Sequence, residues 1–243
     1  MNPAEGTSVI AERLRSVRAR IDDAAVSCGR APESVTLVAV TKTFPAEDAM
    51  EAFRAGAGDL GENRVQELVA KEDAFRAAGL SASWHLIGTL QKNKVKYVVG
   101  RVAMIHSVDS LDLLAEISGR SLARGLVTDV LLQVNVSREE TKHGFEVSET
   151  ARAVAAGLAM PGVRLRGLMT MAPPVEDPET VRPVFEGLAD LASRIRAGLP
   201  PLDASGFDVL SMGMSSDYRV AIACGATHVR IGTAIFGGRS PKA

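Results

Sequence analysis

The sequence predicts an α/β protein, a (β/α)8 TIM barrel with one extra helix at its N-terminus, and three observations carry that prediction. Runs such as Val35–Val40 are β-branched and nearly uncharged, the pattern of strands buried on both faces of a parallel sheet. Eight such segments alternate with segments of helical period, and strands joined by helical crossovers are parallel. No G-x-G-x-x-G follows the first strand, which removes the signature of the competing doubly wound open sheet. A chain of 243 residues has the usual size of one such barrel, so a single domain over residues 1–243 is expected.

From Thr7 to Ser27, Ile10, Leu14, Val17 and Ile21 fall at steps of four, three and four, which makes an amphipathic helix with charges on its other side. Thr7 or Ser8 can cap its start, and Gly29 followed by Pro32 ends it. Preceding the first strand, it is expected outside the barrel or across its bottom. Strands are then read at Val35–Val40, Asp59–Gly61, Ser83–Ile87, Val102–His106, Asp129–Asn135, Arg164–Met169, Val209–Met212 and His228–Ile231. Helices fall near Ala46–Arg54, Arg64–Ala77, Lys92–Val98, Ser110–Arg124, Ser148–Ala159, Pro178–Ala197 and Ser216–Ala223.

Composition narrows the partners. A formal net charge of -1 and a pI near 6.4 give no net attraction to nucleic acid or an anionic membrane, so neither is an expected partner. Cys28 and Cys224 form neither a CxxC pair nor a framework, which fits free thiols in a reducing compartment. Glu5, Glu12 and Arg13 stand where a signal peptide needs an apolar core, and no apolar run approaches a membrane span. A soluble, cytoplasmic protein is expected.

The chemistry-bearing residues collect at the carboxyl ends of the strands, where barrels keep their sites. Alternation along the first strand puts Val38, Val40 and Lys42 on one face, with the ammonium group at the top and Pro45 stopping the strand. Taken alone, such a lysine is ordinarily a solvated, snorkelling residue. The seventh and eighth strand ends change its weight. Leu210-Ser211-Met212-Gly213-Met214-Ser215-Ser216 and His228-Val229-Arg230-Ile231-Gly232-Thr233 both read as strand, glycine turn and helix start, with Ser and Thr as caps. Free amides at these two loops suit a phosphate dianion. His228 and Arg230 point inward on the eighth strand. A buried arginine ordinarily pairs with Asp or Glu, but beside a lysine and a phosphate cradle it is instead read as the donor to the ring nitrogen of pyridoxal 5'-phosphate. Lys42 would then form the Schiff base.

Seven stretches carry a resemblance: Ala39-Val40-Thr41-Lys42, Gly61-Glu62-Asn63-Arg64-Val65-Gln66-Glu67, Trp84-His85-Leu86-Ile87-Gly88, Thr141-Lys142-His143-Gly144, Arg166-Gly167-Leu168-Met169, Leu210 to Ser215, and Val229 to Gly237. Together, over about Ser8 to Arg239, they closely resemble the pyridoxal phosphate homeostasis protein family, whose barrel is similar to the N-terminal domain of alanine racemase. The resemblance implies that Lys42 carries the cofactor, that Arg230 faces its pyridine nitrogen, that Asn63 lies near the ring, and that Ser211, Met212, Ser215, Gly232 and Thr233 surround the phosphate. Thr41 stands where many relatives have serine. Asn63 also fits a helix start, since Asn63-x-x-Gln66 is similar to a capping box. Lys142, in the loop after the fifth strand, is the competing Schiff-base lysine; a loop positions an aldehyde less well than a strand end. His85 reads as a satisfied core group. His106, His143 and His228 lack metal-ligand spacing, so no metal is expected. Tyr97 and Tyr218 read as surface or packing residues.

A Schiff base needs a neutral amine, and burial and a nearby cation both favour one. An arginine at the ring nitrogen weakens the cofactor as an electron sink. A racemase of this barrel type also needs a tyrosine from an added β domain of a partner subunit, and this chain stops at Ala243. The expectation is a monomeric carrier that limits free aldehyde, supports vitamin B6 and amino acid homeostasis without robust turnover, and meets apo enzymes as transient acceptors. The alternatives are an amino acid racemase using the same lysine, and a lysine-dependent aldolase for a phosphorylated sugar.

Overall fold

The computed structural model describes residues 8–137 and 143–238. Eight parallel strands close into a barrel in chain order: β1 (Thr36–Val40), β2 (Asp59–Glu62), β3 (Ser83–Leu86), β4 (Met104–Val108), β5 (Thr128–Gln133), β6 (Val163–Met169), β7 (Val209–Ser211) and β8 (His228–Ile231), the last pairing back onto β1. The crossovers carry α2 (Ala46–Arg54), α3 (Val65–Ala77), α4 (Val95–Val98), α5 (Leu111–Leu122), α6 (Val147–Leu158), α7 (Arg182–Ala197), α8 (Pro201–Gly206) and α9 (Tyr218–Ala223), after the N-terminal α1 (Val9–Ser27) and before α10 (Thr233–Phe236). This is the expected (β/α)8 architecture.

Alternation sorts each strand into two environments. Leu37, Ala39, Leu60, Leu86, Ile105, Leu132, Val229 and Ile231 join the large outer cluster under the helices. Each fully buried aliphatic side chain there contributes ~1.5–3 kcal/mol. Inside the barrel, Met104, Leu131, Met169 and Val209 form a small apolar plug. The inward register also brings Asp59 and Arg230 beside Val38 from opposite sides. Polar groups therefore run through the barrel interior, and that interior leads to the site.

Helix α1 buries Leu14, Val17, Ile21 and Ala25 and lies outside the barrel against α2, α9 and α10. Ser8 is its cap, accepting from the Ala11 amide at 3.1 Å, and Gly29 leaves it at φ +71°. Thr7 lies outside the described residues.

Several boundaries differ from the sequence expectation. Strand β1 ends at Val40, so Lys42 sits on the following turn rather than on the strand face of Val38 and Val40. Strand β4 starts two residues late because Ala103 is the entry, its amide bonding the Trp84 carbonyl. The segment Lys92–Val98 is a 3-10 turn followed by one α turn. Pro178 opens a 3-10 turn and Pro183 stands in the first turn of α7, which begins at Arg182. The short α8 begins at Pro201 behind Pro200, a proline start that propensity alone does not mark. On β6, Gly167 has φ +149°, and a Cβ there would lie 2.0 Å from the Val209 carbonyl oxygen; only glycine lets β6 bulge against β5 and still pair with β7.

Candidate functional site

A cavity of about 430 Å3 opens at the carboxyl end of the barrel, inside the range of roughly 300–1,000 Å3 typical of small-molecule sites. Val40, Lys42, Phe44, Asn63, Ile87, Met171, Ser215, Arg230, Gly232 and Thr233 are among its walls. Its construction begins with the turn that carries Lys42.

Thr41 is fully buried and donates from Oγ1 to Glu62 Oε1 at 2.6 Å. Lys71, on the buried face of α3, donates from Nζ to the Thr41 carbonyl at 2.7 Å and pairs closely with the same Glu62 oxygen. Burial raises the Glu62 carboxyl above its usual range, while the bonds from Lys71 and Thr41 oppose that rise. On the other side of the lysine, Thr43 has φ +70°, the single non-glycine residue with positive φ among those described. A β-branched residue there is strained. Its amide donates to Glu67 Oε2 at 2.8 Å, and Phe44 then packs on Phe236 with ring centroids 5.1 Å apart. The half-buried lysine is thus carried by a turn pinned before and after it.

Arg230 is 4% exposed and lines the same cavity. Its Nη1 donates to Ser211 Oγ at 2.6 Å and its Nη2 to the Thr170 carbonyl at 2.9 Å. It forms no ion pair with a carboxylate among the described residues. Burial lowers its pKa to about 10, against a raising influence from Asp217, so it remains a cation at neutral pH. A buried cation held by two neutral acceptors keeps donors to spare for something in the cavity.

Two loops supply amides. Gly213, at φ +91°, turns the chain against α9, where a Cβ would lie 2.6 Å from that of Ala221. Asp217 Oδ1 then accepts the Met214 amide at 2.5 Å. The amides of Ser215, Ser216 and Thr233 find no acceptor among the described residues, and all three residues line the cavity. The expected serine and threonine caps are not how these helices begin. Asp217 precedes α9 and Gly232 precedes α10, neither start has a side-chain cap, and Thr233 is already the first helical residue. That leaves the serine and threonine side chains, with their amides, on the cavity.

Of the residues singled out in the sequence, Lys42, Asn63, Ser215, Arg230, Gly232 and Thr233 meet around one cavity. Ser211 and Met212 lie beneath it. The Ser211 hydroxyl is committed to Arg230 and to His106 Nδ1 at 2.9 Å. Met212 is buried in the core, its amide bonded to the His228 carbonyl. Asn63 does not cap α3, which Arg64 precedes, and its buried Oδ1 has no partner among the described residues. Lys142 lies outside the described residues. His85 is indeed a bonded core group, between His106 at 2.9 Å and Asp59 at 3.0 Å. Among the described residues no three His, Cys, Asp or Glu side chains are grouped as for a metal. Tyr218 is buried and Tyr97 is half exposed.

Sequence reasoning gave no role to Glu62, Lys71, Thr43 or Glu67, and read Ser216 only as part of a capped helix start. The signal for the first pair was present: Lys71 falls with Val65, Leu68 and Phe75 on the buried stripe of α3, and a lysine there demands a partner.

Residues 13–240 match the family described as alanine racemase, N-terminal domain. The chain is 43% identical over 232 residues to the pyridoxal phosphate homeostasis protein of Aquifex aeolicus, covering 94% of this chain and 97% of that one. It is 41% identical over 233 residues to the protein of the same name from Escherichia coli K12, covering 95% and 97%. The structure of PipY of Synechococcus elongatus with PLP bound superposes with a TM-score of 0.81 at 34% identity, covering 94% of this chain and all of that one. Alanine racemase from Corynebacterium glutamicum, at 16% identity and a TM-score of 0.71, shares the fold over 96% of this chain and 62% of its own.

Proposed function

The chain belongs to the pyridoxal phosphate homeostasis protein family, and on that premise we propose that it binds pyridoxal 5'-phosphate in the cavity at the carboxyl end of its barrel, attached to Lys42 as a Schiff base, and serves vitamin B6 and amino acid homeostasis as a carrier. The observation that carries this reading is the meeting, around one cavity of about 430 Å3, of a half-buried primary amine, a buried arginine bonded to neutral acceptors, and free amides from the last two strand-to-helix loops. The donor set fits the cofactor group by group. Lys42 provides the amine for the aldehyde. Arg230 faces the pyridine nitrogen and donates to it. The amides of Ser215, Ser216 and Thr233, with Gly232 allowing close approach, receive the phosphate dianion. Asn63, whose Oδ1 lacks a partner among the described residues, borders the ring. Ser211 and Met212 support the cradle from below.

When bound, the cofactor supplies an electrophilic aldehyde and an electron sink. A cationic donor at the ring nitrogen keeps that nitrogen unprotonated and weakens the sink, which favours holding over turnover. Two unpaired cysteines accord with a cytoplasmic setting, and we propose a monomer that yields its cofactor to apo enzymes in transient encounters. Titrating the purified protein with pyridoxal 5'-phosphate tests the reading: a yellow Schiff-base band should appear, fade when an apo acceptor enzyme is added, and be missing in Lys42→Ala. Wash-in of solvent deuterium at the α-carbon of alanine or serine, well above the rate with free cofactor, would favour a racemase instead.

A further inference from the structure

Beneath the cavity, five side chains form a continuous chain through the barrel, and its hydrogens can be assigned. Arg230 has donors only, so Ser211 Oγ accepts from Nη1 at 2.6 Å. The hydroxyl proton of Ser211, which is fully buried, then goes to its other neighbour, His106 Nδ1, at 2.9 Å. His106 must be neutral with its hydrogen on Nε2, which donates to His85 Nδ1 at 2.9 Å. His85 in turn carries its hydrogen on Nε2 and donates to Asp59 Oδ1 at 3.0 Å. A carboxylate accepts and never donates, so the chain ends there. The reverse arrangement would give Ser211 Oγ two donors and strand its own hydroxyl proton in the interior. Burial and the neighbouring His85, His228 and Arg230 all oppose charge on His106. His228 stands apart, its ring centroid 6.1 Å from that of His106 and its Nδ1 beside Thr227 Oγ1 at 3.1 Å.

We infer that Ser211, His106, His85 and Asp59 are positioning residues for Arg230, a one-way relay of hydrogen bonds that fixes the guanidinium in a single orientation at the cavity floor. The relay begins at the opposite end of the barrel, where Asp59 is 35% exposed and borders a second cavity with Arg18 and Thr36. It changes the part played by Ser211, whose hydroxyl orients Arg230 rather than binding phosphate. The relay is a property of the chain itself; only its bearing on the cofactor rests on the function proposed above.

Nuclear magnetic resonance of the ligand-free protein with nitrogen-15 histidine tests the relay directly. His106 should carry its hydrogen on Nε2, and His85 Nδ1 should carry none; hydrogen on His106 Nδ1 or on His85 Nδ1 overturns it. Its effect on the site is read in variants. Ser211→Ala should weaken pyridoxal 5'-phosphate about tenfold and shift the bound absorbance maximum, while Ser211→Thr, which keeps the hydroxyl, stays within about twofold. Asp59→Ala, altered at the far end of the barrel, should release the His85 tautomer and move the same maximum. Unchanged affinity and spectrum in both alanine variants would overturn the positioning role. A wild-type protein that binds no cofactor, yet shows the stated tautomers, would instead fail the proposed function.

Discussion

Replacing Lys71 by methionine tests how the Lys42 turn is held. Lys71 is 5% exposed and Glu62 is fully buried. The substitution removes the ammonium group that bonds both the Glu62 carboxylate and the Thr41 carbonyl. Breaking one side of a buried pair costs ~3–5 kcal/mol, because the remaining charge is left uncompensated. At ~2–4 °C per kcal/mol for a domain of this size, Lys71→Met should lower the melting temperature by about 6–20 °C at pH 7. The double variant Glu62→Gln, Lys71→Met should recover most of that loss. The pH dependence has a definite sign. Glu62 is already raised above its usual value of 4.5 by burial, and without Lys71 it rises further. A carboxyl raised in the folded state destabilises most when ionised, above its folded pKa, so the Lys71→Met deficit should shrink as pH falls from 7 toward 4.5. Urea unfolding at a series of pH values measures both effects. A deficit below about 1 kcal/mol at pH 7, or a double variant no more stable than the single one, would mean that Lys71 does not hold this turn.

Gly167→Ala should cost roughly 3 kcal/mol or more, since a Cβ cannot coexist with the Val209 carbonyl 2.0 Å away; an unchanged urea midpoint would contradict this. Gly119 lies exposed inside α5 with no atom near a prospective Cβ, and Gly119→Ala should raise stability by ~0.5–1 kcal/mol in the same assay. His228 is lowered from 6.5 to about 4, chiefly by burial and then by His85. Its folded form resists protonation, so its contribution is fully present above pH 6.5 and is lost as pH falls toward 4. His228→Gln should flatten the stability profile in that window.

The barrel was legible because its signals are local. Alternation of β-branched strands with helical periods needs no knowledge of contacts, and each strand was found within a few residues. The cavity was legible for a similar reason: strand polarity alone gathers Lys42, Asn63, Arg230 and the last two loops at one end. What escaped depends on pairing across the fold. Glu62 and Lys71 are joined by the packing of α3 on β2, and Asp59, His85, His106 and Ser211 by register across four strands. The serine of Ser211-Met212-Gly213 fits a phosphate loop by sequence. Only the depth of its side chain below Arg230 assigns its hydroxyl elsewhere. Thr43 could not be foreseen, since its positive φ belongs to a turn whose amide is bonded by Glu67 from α3.

Borohydride reduction of the protein mixed with pyridoxal 5'-phosphate, followed by peptide mapping, addresses the attachment point itself. One pyridoxyl phosphate group is expected, on the peptide that contains Lys42. A label on Lys142, or none at all, would contradict it.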